Sequence, residues 1–218
     1  MAADLFPESD GGINQLDLDA VVRISDLEAW ATDPWVPPAL LRVEQFPRLV
    51  IDPCCGLGAW SNELIRHEYS LETIDRVDWS QHFPDVFPPM HVRDFLTMMP
   101  TEFNWLRSAD AFGQDFAVVM NPPFSGDDGL LSCKFVDKAR SLGARKIACF
   151  QRLKWRESAK RAEWWAANPP ARIWLCVDRA TCWRFDIPDS CDNTCLLDKG
   201  EKVMRKTRKQ HVGCRECM

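Results

Sequence analysis

The chain has 218 residues, 46% hydrophobic and 27% charged, enough for one sizeable core and ordinary for a soluble globular protein. No apolar run is long enough to span a bilayer, and the Met1-Ala2-Ala3-Asp4-Leu5 start lacks a basic signal-peptide region. Membrane and secreted classes are therefore set aside in favour of the cytoplasm or nucleus. The net charge of −5 is unevenly spread: residues 1–100 hold 6 Lys/Arg against 17 Asp/Glu, and the remainder holds 21 against 15.

Residues 1–28 read as a polar, Asp-rich, partly disordered lead; 29–200 as one domain; 201–218 as a basic, Cys-containing tail. Trp35-Val36-Pro37-Pro38 opens an apolar helical run, with prolines where a helix start accepts them. Apolar runs at 48–51, 70–74, 91–94, 115–120, 146–150 and 172–177 read as strands. Helices are expected at 59–68, at 135–142 with Gly143 as its C-terminal cap, and at 157–167. Such alternation predicts an α/β fold with a parallel, doubly wound sheet. Ten cysteines without a secretion signal read as reduced thiols.

Two loops carry the chemistry. Asp52-Pro53-Cys54-Cys55-Gly56-Leu57-Gly58 lies between a strand and a helix; its glycines permit a sharp turn and close approach of a ligand, and the helix start offers free N–H groups. Ser61 stands where a nicotinamide fingerprint needs a third glycine. Asp75, with Asp78 as the nearby alternative, falls where a carboxylate accepts ribose hydroxyls. Asp94 is placed to accept from an adenine amino group, with Phe95 against the base.

The second loop, Asn121-Pro122-Pro123-Phe124, halts the strong strand 115–120. An exocyclic amine is a poor nucleophile because its lone pair is delocalised into the ring. Two acceptors aimed at its hydrogens, the Asn121 side-chain oxygen and the Pro122 carbonyl, favour a pyramidal nitrogen. The prolines fix φ and stiffen the turn, and Phe124 offers a flat face to a flipped base. Taken alone, either loop also suits a plain turn; it is their succession in one sheet that points to chemistry.

Together these elements resemble the amino-group DNA methyltransferases of class I, in particular compact phage- and prophage-type N6-adenine methyltransferases. The resemblance covers roughly residues 33–180 and rests on the two loops, with weaker matches at Trp35-Val36-Pro37-Pro38, Asp75, Asp94-Phe95-Leu96 and Phe150-Gln151-Arg152-Leu153. It implies a Rossmann-like, mostly parallel sheet with an antiparallel C-terminal hairpin and helices on both faces. It further implies S-adenosylmethionine as cofactor, held by Trp35, Pro37, Asp52, Pro53, Cys54, Gly56, Gly58, Asp75, Asp94 and Phe95. The catalytic set would be Asn121, Pro122, Pro123 and Phe124, acting on adenine N6 in DNA inside a bacterial or phage-infected cell. Val36 departs from the threonine often found before the first proline. No segment is long enough for a large target-recognition domain, which implies short or relaxed sequence specificity.

Loops of this type also serve methyltransferases acting on RNA bases or a glutamine amide, and a non-catalytic nucleic-acid scaffold is the remaining alternative. Cations at 138–161, among them Arg152, Lys154, Arg156, Lys160 and Arg161, interleave with Phe150 and Trp155 as a phosphate- and base-contacting surface would; solvated helix faces are the plainer reading. Cys191, Cys195, Cys214, Cys217 and His211 have spacing too loose for a convincing zinc site, so no metal is expected.

Overall fold

A strand that is apolar at every position must be covered on both faces, and the middle of this sheet is built from such strands. The computed structural model describes residues 29–83, 85–103, 115–124, 130–180 and 182–184. In chain order its main elements are β1 (Trp30–Ala31), α1 (Val36–Leu41), β2 (Leu49–Asp52), α2 (Ala59–Arg66), β3 (Ser70–Asp75) and β4 (His91–Val92). There follow β5 (Phe116–Met120), α3 (Leu130–Ser141), β6 (Lys146–Cys149), α4 (Ala162–Ala167) and β7 (Trp183–Arg184). Five strands form one parallel sheet in the order β4-β3-β2-β5-β6.

The two-residue period of a strand sends alternate side chains to opposite layers. Val50, Ala117 and Val119 pack with Val36 of α1 and with Trp60 and Leu64 of α2. Ile51, Val118 and Met120 pack on the other face with Phe135 and Ala139 of α3, and with Phe95, Met98 and Phe103. Each fully buried side chain of this size contributes about 1.5–3 kcal/mol. Helices thus cover both faces, an α/β three-layer arrangement. Helix α3 ends in a Schellman turn: Gly143 has φ +87°, and the N–H groups of Ala144 and Gly143 donate to the carbonyls of Ala139 and Arg140 at 3.1 and 2.9 Å.

Two expected elements form differently. Residues 172–177 are not a strand: although apolar and suited to one, they are exposed throughout, with no ladder partner among the described residues. Among the described residues, no antiparallel strand joins the five-stranded sheet. The antiparallel pairing found is a separate ladder, Trp30 opposite Arg184 and Ala31 opposite Trp183. The expected helix 157–167 forms only in its second half: Ala159–Arg161 is a 3-10 turn, and α4 starts at Ala162. At that junction the Arg161 guanidinium donates to the carbonyls of Trp155 at 2.8 Å and Lys154 at 3.2 Å.

At the end of the sheet where the strands begin, Glu44 is 8% exposed and accepts from Arg172, Lys146 and Trp174 at 2.5, 2.5 and 2.8 Å. These donors, Arg172 foremost, pull its carboxyl down to about 2. An open groove of about 770 Å³ there is lined by Arg48, Asp115, Arg145 and Arg172 among others, and Arg145 pairs with Asp115 at 3.1 Å. No described helix is long and apolar enough to cross a membrane. The expected lead at 1–28, the tail at 201–218 and the cysteines from Cys191 onward lie outside the described residues.

Candidate functional site

The chain runs outward from β2 to β3 and β4, then returns to start β5 on the other side of β2. At such a reversal, the loops leaving the two central strands diverge and open a crevice at the carboxyl edge. With Leu49 opposite Phe116 and Ile51 opposite Val118, the 52–58 and 121–124 loops leave the same edge of adjacent strands. The two loops singled out in the sequence are therefore neighbours.

The first loop is braced by carboxylates close in sequence. Asp52 is fully buried; its Oδ2 accepts the Ser61 hydroxyl at 2.6 Å, whereas Oδ1 is buried without a partner. Burial pushes its carboxyl up to about 7, against the pull of Ser61. Gly56 and Gly58 have φ +50° and +81°, and a Cβ on Gly58 would stand 3.3 Å from the Asn62 side chain. Asp75 accepts from the backbone N–H of Gly56 at 2.9 Å, that of Val77 at 3.1 Å and the Trp79 indole at 3.3 Å. Its main visible task is to pin the loop to the end of β3. Asp78 is similarly engaged, by the Ser80 backbone and hydroxyl and by Gln81.

Pro53 is buried and Cys54 partly so; burial, and then the negative charge of Asp75, holds the Cys54 thiol well above its ordinary range and therefore neutral. Trp35 precedes α1 and is 37% exposed, while Pro37 is buried. Asp94 accepts the Leu96 N–H at 2.9 Å and lies 3.9 Å from Arg76. Phe95 corrects the sequence reading. It is 1% exposed, stacked on Phe135 at 5.7 Å and edge-on to Phe103, so it is a core side chain with no free face for a base. The apolar interior claimed a ring that its motif position assigned to a ligand.

The second loop is held from far away. The Asn121 side-chain nitrogen donates to the Thr32 hydroxyl at 2.9 Å and the Trp30 carbonyl at 3.3 Å. A carbonyl only accepts, so the nitrogen must face Trp30, which settles which way the amide points. Its oxygen then faces the opposite way, buried and without a hydrogen-bond partner. Pro122 is buried, and its carbonyl receives only a 3.4 Å contact from Gln151. The Pro123 carbonyl accepts from Ser132 at 2.8 Å, and Gln151 also donates to Ser132 at 3.1 Å.

Phe124 lies 6.1 Å from the Trp30 ring at 49°, with the Arg152 guanidinium 4.7 Å from the Phe124 centroid and 5.2 Å from that of Trp30. The site thus gains Trp30, Thr32 and Ser132, which the sequence did not single out. A two-residue strand leaves no periodic signal, and these partners are remote in the chain.

Of the basic stretch, Arg152 reaches the site. Arg156 lies over the Trp165 ring at 4.5 Å, and Lys154 and Lys160 are exposed. Arg161 is a second correction: 6% exposed and bonded to backbone carbonyls, it is structural and unavailable to phosphate. Lys138 donates to the Met98 carbonyl at 2.5 Å. Among the described residues, no group of three or more His, Cys, Asp or Glu side chains could hold a metal. Compared with known proteins, the chain matches no family model and no curated sequence.

Proposed function

We propose that the protein is an S-adenosylmethionine-dependent methyltransferase acting on an exocyclic amino nitrogen, with adenine N6 in DNA as the first target. The observation that carries this reading is the buried, unpartnered oxygen of Asn121, beside the Pro122 carbonyl, on the edge shared with the glycine loop. An unsatisfied buried acceptor costs about 1–3 kcal/mol, and an incoming N–H donor relieves that cost.

The residues fit the cofactor. Gly56 and Gly58 turn the loop through positive φ, and the unpartnered Asp52 oxygen suits the α-ammonium of an amino acid. Asp75 keeps the loop in shape and would offer a ribose whatever acceptor capacity its protein donors leave. When bound, S-adenosylmethionine supplies a methyl group already activated on a sulfonium.

The chain's own work is positional. Asn121 Oδ1 and the Pro122 carbonyl accept the two amine hydrogens and draw the lone pair out of the ring. The rigid Pro122-Pro123 turn holds that aim, so little reorganisation remains in the transition state. The nitrogen that gains the methyl gives up one proton to solvent, and no strong general base is required. Trp30, Phe124 and Arg152 form an aromatic and cationic wall, which favours a planar base over a flexible amide side chain.

The test uses radiolabelled S-adenosylmethionine with separate DNA, RNA and protein pools. Label should enter DNA as N6-methyladenine. Label confined to RNA bases or to glutamine would keep the chemistry and change the target, and label in none of the pools would overturn the reading.

A further inference from the structure

The acceptor geometry of Asn121 has a cause that lies outside its own loop. Its amide nitrogen has two partners, both from the segment around β1: the Thr32 hydroxyl at 2.9 Å and the longer Trp30 carbonyl contact at 3.3 Å. Thr32 is 4% exposed, so water does not substitute for it readily. An amide rotates about its terminal bond with a broad, roughly two-fold preference; the Trp30 carbonyl, an acceptor only, selects the orientation with Nδ2 toward β1, and the shorter Thr32 bond holds it there. Without the Thr32 bond, the side chain keeps only the longer Trp30 contact, and the aim of Oδ1 at the amine loosens.

We propose that Thr32 is a positioning residue: its hydroxyl holds the Asn121 side chain with the oxygen toward the amine to be methylated. This rests on the methyltransferase reading. The bonding is simple to balance, since the Thr32 oxygen accepts one Nδ2 hydrogen and the Trp30 carbonyl the other, leaving both Oδ1 lone pairs free. Thr32 touches neither reactant in this scheme and acts through Asn121 alone.

Thr32→Val keeps the shape and removes the acceptor, whereas Thr32→Ser keeps the acceptor. The valine variant is expected to lose about tenfold in kcat, roughly one net hydrogen bond, with KM for DNA and the Kd for S-adenosylmethionine within about twofold of wild type. Serine is expected to restore kcat to within about threefold of wild type. Exchange of the Asn121 side-chain amide protons, followed by ¹⁵N NMR, should speed up in the valine variant and not in the serine variant, a readout independent of catalysis.

A valine variant with unchanged kcat and unchanged amide exchange overturns the inference while an active wild type leaves the methyltransferase reading standing. A wild-type protein that methylates none of the three pools overturns both. A valine variant that loses thermal stability yet keeps wild-type kcat below its transition also overturns the inference, because it shows Thr32 to be structural only.

Discussion

The two ends of the sheet treat polar groups in opposite ways. Where the strands begin, Glu44 has three side-chain donors around its carboxylate, and Arg145 has Asp115. Where they end, Trp30 Nε1, Asp52 Oδ1 and Asn121 Oδ1 are buried without partners. Completed polar bonding stabilises a fold. Donors and acceptors left open in the interior cost stability, and each calls for a reason to be kept. The contrast separates a rim with its polar groups bonded from one with polar groups left open, without reference to any motif.

The sharpest way to break that contrast is Asn121→Ala. Removing the acceptor should lower methyl transfer by about 10²–10³, the scale seen when one transition-state hydrogen-bond partner is lost. Calorimetry should still show S-adenosylmethionine binding, and the melting temperature should stay close to wild type. At the other rim, Glu44→Ala should do the reverse, reducing stability by about 1–3 kcal/mol in urea titration while leaving kcat unchanged. Equal effects of both variants on stability and on rate would erase the distinction.

A third change addresses the glycine loop. Gly58→Ala forces a side chain into a left-handed conformation against Asn62, and should cost about 1–2 kcal/mol and weaken cofactor affinity. Intact cofactor affinity in a folded variant would remove Gly58 from the cradle.

The remaining effects are in pH, and their signs differ between the rims. Glu44 is lowered from 4.5 to about 2 in the fold, so its contribution to stability is present above pH 4.5 and lost as pH falls toward 2. Asp52 is raised from 3.8 to about 7, so the folded state holds its proton more tightly and loses stability as pH rises across that window. Because an ammonium group needs the ionised carboxylate, affinity for S-adenosylmethionine should climb through about pH 7. Asp52→Asn should flatten that profile in calorimetric titrations.

What the sequence disclosed follows the range of the forces involved. The strand cores and the glycine turn depend on neighbours a few residues away, and Asp52, Gly56, Gly58 and Asn121 were legible for that reason. The bracing of Asn121 by Trp30 and Thr32 joins positions about ninety residues apart and leaves no local pattern. Phe95 and Arg161 were misread because a ring or a guanidinium has the same letter whether it faces ligand or interior; only the packing of Phe135, or the carbonyls of Trp155 and Lys154, tells which. Residues 172–177 show the converse, since strand-like composition does not supply a strand to pair with.

The pairing of Trp30–Ala31 with Trp183–Arg184 sets an order of events during synthesis. Trp30 and Ala31 wait for residues made more than one hundred and fifty positions later before their ladder closes. A nascent chain emerging from the ribosome can therefore build its sheet well before the support behind Asn121 is finished. Under the proposed function, methylating capacity would arrive as a late step of maturation, and shortened products that stop before Trp183 would lack it.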